Sequence, residues 1–414
     1  MNQPSPVSRR QFLGSTLAAT AAGSLLGAIG SQAAEEKPAA PAPVFKRKIK
    51  VGLIGCGGRG MWLTKLFKQH GGYEFHAVAD YFPNVAGDAG KVLGVDASRC
   101  FSGLSGYKKL IESGVEAVMI EDVPYFYPEQ ARAAVEAGKH VYIAKPVAVD
   151  VPGTLLIGES GRLATKKNLC FLVDYQLPTD PACIEVAQRI RDGAMGPLGH
   201  IASFGMAWHA WPDPALGATI ESRLRNEIWL ADTALSGDTI VSYDIHIIDG
   251  IIWVLGKPPV VASGFSRTYR PNPHGDRTDV CSVVYECADG TIWTHVTQAL
   301  DNSFDVTSLS ASFFGMKATG HLRYGGKVYV RGGDKHYAGQ MGSVYTEGAV
   351  RNIASFHRSI TEGHFENASV QRAVDGHLTG ILGREAAARR TKVTMEELLK
   401  ENKRLEVDLK GLKA

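Results

Sequence analysis

Apolar and polar positions alternate with two different periods along the chain. From residue 48, short β-branched runs are separated by segments with helical spacing of apolar residues. The runs are IKVGLI (Ile49–Ile54), FHAVA (75–79), AVMI (Ala117–Ile120), KHVYIA (139–144) and NLCFLV (168–173). Continuous apolar runs of this length suit strands buried on both faces of a parallel sheet. The intervening residues 61–69, 128–138 and 152–167 predict helices, the second stopped by Gly138. From about residue 199 the pattern changes to strands set apart by turn residues: 200–208, 260–268, 279–287, 291–298 and 307–314. Ala288-Asp289-Gly290 is a hairpin signal between two of them. Helical segments at 347–361 and 368–388 then predict a chain that returns to pack on the first region. The expected fold is α/β, with a doubly wound domain over residues 48–174 and a second α/β domain over 175–414.

The residues before 48 follow neither period. SRRQFL (8–13) is a twin-arginine pattern, followed by an uncharged stretch at 14–30 and small residues at 31–34. This predicts a twin-arginine (Tat) signal peptide over 1–33, the Tat export machinery as a partner, and a periplasmic destination. A membrane anchor is the alternative, but at about 17 residues diluted by Gly, Ser, Thr and Ala the stretch is at the lower limit of a span. Residues 34–47 read as a Pro/Ala linker. The composition, 44% hydrophobic and 21% charged, excludes a disordered chain. Without Arg9 and Arg10 the 45 basic residues fall to 43 against 42 acidic, so the formal charge drops from +3 to +1. A near-neutral mature chain has no general attraction for nucleic acid or anionic lipid. No later segment has the roughly 18 consecutive apolar residues of a membrane span. The six cysteines have no CxxC or ligand spacing and the histidines no zinc spacing, so no metal site is expected, and unpaired buried thiols are the simplest expectation.

Candidate chemistry begins at GCGGRG. It follows a strand, opens a helix, and has Asp80 placed 20 residues after Gly60, the context that makes such a glycine pattern specific for a dinucleotide. Gly55 permits the tight turn, Gly57 lets the backbone approach a pyrophosphate, and Gly60 lets helix and strand pack closely. Gly55, Cys56, Gly57, Gly58, Arg59, Gly60 and Asp80 are therefore the cofactor-binding candidates. Asp80 accepts hydrogen bonds from ribose hydroxyls and repels a 2′-phosphate, which favours NAD. Arg59 near the phosphates keeps NADP as the alternative.

With GCGGRG and AGKHVYIAKPVAVD both in view, the chain resembles the Gfo/Idh/MocA family of sugar and polyol oxidoreductases. SGDTIVSYDIHIIDGIIWVLG is similar to that family's segment carrying a catalytic His, and GILGREAA to its returning helix; the likeness covers roughly residues 48–410. It implies an N-terminal Rossmann domain and a C-terminal α/β domain whose large, open, mostly antiparallel sheet joins copies into a homo-oligomer. It further implies that Lys145 serves both catalysis and the cofactor and that His246 is catalytic. An imidazole titrates in the useful range and is the expected general base, with Lys145 orienting the hydroxyl. Two positions depart from the family: Ala144 stands where Glu is usual, and Ser242 where Asp is frequent. Asp244, if its turn is not yet helical, and Asp249 are the alternatives for orienting the imidazole. Asp174, Tyr175, Gln176, Trp208, His209, Trp211 and Tyr243 are substrate candidates, with Arg270 and His274 at the border. The expected activity is an exported NAD(P)-dependent oxidation of a sugar, polyol or glycoside hydroxyl. The cofactor is expected to be held tightly, because the periplasm does not readily exchange NADH. One rival is an NAD-dependent glycoside hydrolase working by transient oxidation and elimination. The other is a non-catalytic sugar or nucleotide binder.

Overall fold

Six strands of the first region pair in parallel: β1 (Ile49–Ile54), β2 (Tyr73–Asp80), β3 (Cys100–Ser102), β4 (Ala117–Ile120), β5 (His140–Ile143) and β6 (Phe171–Val173). The computed structural model describes residues 45–207, 211–302 and 308–414. The expected signal peptide, most of the linker, Trp208 and His209 lie outside these. The strand order β3-β2-β1-β4-β5-β6 sends the chain to one side of β1 and then to the other. The crevice at the C-terminal ends of β1 and β4 is therefore a topological switch point, where such sheets bind ligands. All four residues of β4 are fully buried, as expected of a strand covered by helices on both faces.

The second region builds one nine-stranded sheet. Its strands are β7 (Leu198–Ala207), β8 (Val261–Arg267), β9 (Val280–Glu286), β10 (Ile292–Ala299), β11 (Ser308–Gly315), β12 (Thr319–Arg323), β13 (Gly326–Arg331), β14 (Tyr337–Met341) and β15 (Val393–Thr394). They lie in the order β14-β13-β12-β11-β7-β10-β9-β8-β15. Every neighbouring pair is antiparallel except β7 with β10. Alternation along β9 and β10 turns Val283, Tyr285, Trp293 and His295 inward. Helix Ala368–Arg389 packs along β8 and β9 and also reaches helix Val151–Lys166 of the first region, the return that the sequence pattern predicts. The opposite face leaves Phe204, Phe265, Val284 and Phe314 exposed. The hairpins of residues 319–341 are absent from the sequence expectation. Gly320, Gly325, Gly326, Gly332 and Gly333 interrupt them, which erases the period-2 signal.

All six cysteines are unpaired, and five are buried. Among the described residues no helix is long and apolar enough to cross a membrane.

Gly205 fixes the distance between the second sheet and the site. A Cβ there would lie 1.8 Å from Asp244 Oδ1. Gly205→Ala should therefore lower stability by ~1–3 kcal/mol, the usual cost of overpacking. Urea unfolding measures this, and an unchanged midpoint would contradict the close approach.

Candidate active site

The glycine-rich loop ends β1 at the switch point. Gly55 has φ +88, and a Cβ there would meet the backbone of Asp122 at 2.4 Å. A Cβ on Gly60 would meet Gly55 O at 2.2 Å, so neither position tolerates a side chain. Gly57 and Gly58 differ, with nothing within 4 Å of a Cβ. They open helix Gly58–His70, whose first amides face a cavity of about 440 Å³. Free backbone donors at a helix N-terminus suit a pyrophosphate.

Asp80 stands at the end of β2 on the same cavity. It accepts hydrogen bonds from Cys56 N and Phe82 N, both at 2.9 Å. Burial pushes its carboxyl up, and those two amides oppose the shift. Cys56 contributes only its backbone, since its thiol is buried against Ala79 O. Glu121 is buried on the cavity wall. The open cradle and the braced Asp80 together fit a dinucleotide.

Arg59 departs from its expected role. Its guanidinium does not stand free for phosphate. Nη2 lies 2.6 Å from Asp174 Oδ2 and Nε 3.2 Å from Glu121 Oε2. It also donates to Tyr345 OH and sits over the rings of Trp62 and Tyr345. Burial nevertheless outweighs Arg59 at Glu121 and raises that carboxyl to about 8. Asp174 is fixed a second time by Asn352 Nδ2 at 2.8 Å.

Lys145 follows β5, in a cis Lys145–Pro146 step. Its Nζ donates to Ser242 O at 2.8 Å. Burial, helped by Arg59, lowers its pKa to about 7 against the pull of Asp174, Asp244 and Glu121. The ammonium is thus destabilised although Asp174, Asp244 and Glu121 all favour it.

Ala144 is buried where the resemblance places Glu. The register pairs Ile120 with Ile143, so Glu121 and Ala144 are the residues just past the paired ends of adjacent strands. The carboxyl missing from residue 144 is thus present one strand across. Sequence reasoning overlooked Glu121, although an acid directly after a buried parallel strand is the available signal.

His246 lies in the first turn of helix Ile245–Leu255, 5% exposed and with the Tyr324 ring 4.7 Å away. Burial, Lys145 and Arg59 hold it well below its ordinary pKa. Its Nδ1 has no hydrogen-bond partner among the described residues. The structure therefore corrects the expectation that Asp244 or Asp249 orients the ring. Asp244 does sit in a break between helices, as its sequence position requires. Its Oδ2, however, lies 2.9 Å from His295 Nε2 and also accepts from Thr297. Asp249 pairs with Arg372 Nε at 2.7 Å.

The substrate candidates divide. Tyr175 is buried, its hydroxyl 3.4 Å from His377 Nδ1. Gln176 is buried and accepts from Tyr324 OH, so it supports the wall behind His246 and has no open surface of its own. Tyr243 is half-buried and meets Trp211 edge-on at 5.6 Å. Arg270 pairs with Asp213 and Asp279, and His274 N donates to Asp213 at 2.6 Å. That network closes its own loop. Tyr324 and Asn352 had no sequence signal, being placed by strands and helices far along the chain.

Residues 49–175 match the family model described as Gfo/Idh/MocA, an oxidoreductase family with an NAD-binding Rossmann fold. Residues 49–175 are thus similar to that family's Rossmann region. Curated proteins are similar over about half of the chain. The levoglucosan dehydrogenase of Pseudarthrobacter phenanthrenivorans is 26% identical over 220 residues, 51% of this chain and 52% of that protein. A glycosyl hydrolase family 109 protein of Shewanella amazonensis is 26% identical over 206 residues, 47% and 45% of the two chains. The chain spans about half the length of the curated relatives it matches. The crystal structure of levoglucosan dehydrogenase with NADH and levoglucosan aligns at a TM-score of 0.68. It covers 84% of this chain and all of that one at 18% identity, a likeness of fold.

Removing Arg59 would leave two buried carboxyls without their cation. Arg59→Met should cost ~3–5 kcal/mol at neutral pH, and adding Asp174→Asn should recover part of the loss. Denaturant titration of the two variants checks this. Unchanged stability in the single variant would remove the buried ion pair from the account.

Proposed function

We propose that the chain is an exported NAD-dependent oxidoreductase acting on a CH–OH group of a sugar, polyol or glycoside, with NADP as the alternative cofactor. The observation that carries this is Lys145, whose pKa burial lowers to about 7, just past a strand end and near the cavity lined by Gly57, Gly58 and Asp80. Dehydrogenation of a carbinol releases a hydride equivalent and a proton. The nicotinamide, when bound, takes up the hydride. Gly57 and Gly58 offer their amides to the pyrophosphate, and Asp80 accepts hydrogen bonds from the ribose.

The proton falls to this chain. Lys145, neutral above about pH 7, is matched to accept it, because a base works best near the operating pH. His246, held neutral, is the weaker base, and its free Nδ1 suits a hydrogen bond to the substrate oxygen. This exchanges the roles that sequence alone suggested. Arg59 and Glu121 both line the cavity and both act on Lys145 electrostatically, so they couple the cofactor side to the base.

A tightly held cofactor suits an exported enzyme, and the twin-arginine pattern of residues 8–13 supports export to the periplasm. The exposed apolar face of the nine-stranded sheet suits a homo-oligomer. A second reading, glycoside cleavage by transient oxidation, is favoured by the Shewanella relative. Release of an aryl aglycone without net NADH would select it.

Absorbance of the purified protein for bound nicotinamide, followed by turnover on a sugar and polyol panel, tests the proposal; a chain that binds no NAD(P) sinks it. Lys145→Ala and His246→Ala should each lower turnover by about 10²–10⁴-fold. Full activity of the double variant refutes the site. The neutral amine is the reactive form in oxidation, so kcat/KM should rise with pH through about 7 and then level off. In the reductive direction it should fall over the same range. A flat profile would contradict the assignment of Lys145 as base.

A further inference from the structure

The cavity beside the glycine-rich loop has a second wall from outside the first sheet. Arg225, Glu227 and Trp229 line it from one segment, and Arg404 and Leu409 from the last stretch of the chain. Helix Met395–Glu401 ends at Asn402 in a left-handed conformation, and no helix or strand follows through residue 414. That stretch is nevertheless pinned along its length. Leu405 N donates to Asp150 Oδ2 at 2.9 Å, and Leu104 N to Lys413 O at 3.0 Å. Lys413 N donates to Tyr81 OH at 3.1 Å.

Tyr81, the residue after Asp80, ties the last stretch to the short helix Ile220–Arg223 that leads into the other segment, because its hydroxyl also donates to Glu221 Oε1 at 3.2 Å. Val407 and Leu412 pack into one apolar cluster with Phe82, Val123 and Leu224. The Arg225 guanidinium lies 3.6 Å over the Phe82 ring. Gly103 has φ +84, and a Cβ there would meet Ala414 O at 2.3 Å, so the approach requires glycine.

The cavity has a direction. Gly57 and Gly58 mark the pyrophosphate position and Asp80 the ribose, so Tyr81, Phe82 and the two added segments surround the adenine end. Lys145 and His246 are not on this wall.

We propose that residues 224–229 and 402–414 form a clasp over the adenosine half of the dinucleotide, which turns an exchangeable cofactor into a retained one. This rests on the NAD(P) reading above. The clasp touches only the end of the cofactor remote from chemistry, so it governs residence time and leaves the reacting groups free.

Two variants test it: the chain ended after Glu401, and the full-length Tyr81→Phe/Arg404→Ala. Each is loaded with NADH and chased with excess NAD⁺ while nicotinamide fluorescence reports release, with circular dichroism as the check on folding. Both variants should release NADH at least about tenfold faster than the full chain, since lost contacts act mainly on the off-rate. If the truncated chain does not fold, the full-length double variant decides alone. Release within about twofold of the full chain overturns the clasp. A full chain that binds no NADH or NADPH instead overturns the cofactor reading, and the clasp with it.

Discussion

Arg59 leaves the glycine-rich loop and spreads its guanidinium between Glu121 and Asp174, both of which are buried. Three consecutive features depend on that contact. It fixes the start of helix Gly58–His70 against the ends of β4 and β6. It holds Asp174, the first residue after β6, beside its cation and tied to Asn352. It also places a permanent positive charge near Lys145, which with burial makes the ammonium form unfavourable. A group whose charged form is destabilised in this way is suited to moving a proton at neutral pH.

The opposite wall obeys a different constraint. The helical segment carrying His246 breaks at Tyr243 and Asp244. The break frees Ser242 O to accept Lys145 and drops Asp244 onto β10, where His295 and Thr297 receive it. Gly205 on β7 provides the space. One irregular turn thus joins Lys145, the histidine helix and the second sheet, and burial with Lys145 and Arg59 nearby keeps His246 neutral.

Much of the first region was legible because parallel strands announce themselves as unbroken apolar runs. Ile49–Ile54 and Ala117–Ile120 occur at the expected residues, and helix Val151–Lys166 differs from expectation by one residue at each end. Lys145 and His246 were legible through the motifs around them. Their partners were not, because register and packing choose them. Nothing local to IEDV indicates that Glu121 will lie beside residue 144, or that Arg59 will turn from phosphate to carboxylate. Asp244 and Asp249 were expected to orient His246, but their partners His295 and Arg372 arrive from distant elements. The glycine-broken strands 319–341 and the wall formed by 402–414 were hidden for the same reason: long-range pairing holds them, with little contribution from local propensity.

The central claim is that burial within this charge cluster makes Lys145 a base near neutrality. Its most direct test is an NMR titration of the full-length protein with labelled lysine side chains, the Lys145 signal assigned through Lys145→Arg. The account predicts a titration near 7, well separated from the bulk of the lysines. A Lys145 amine that titrates near the ordinary value of 10.5 would contradict it.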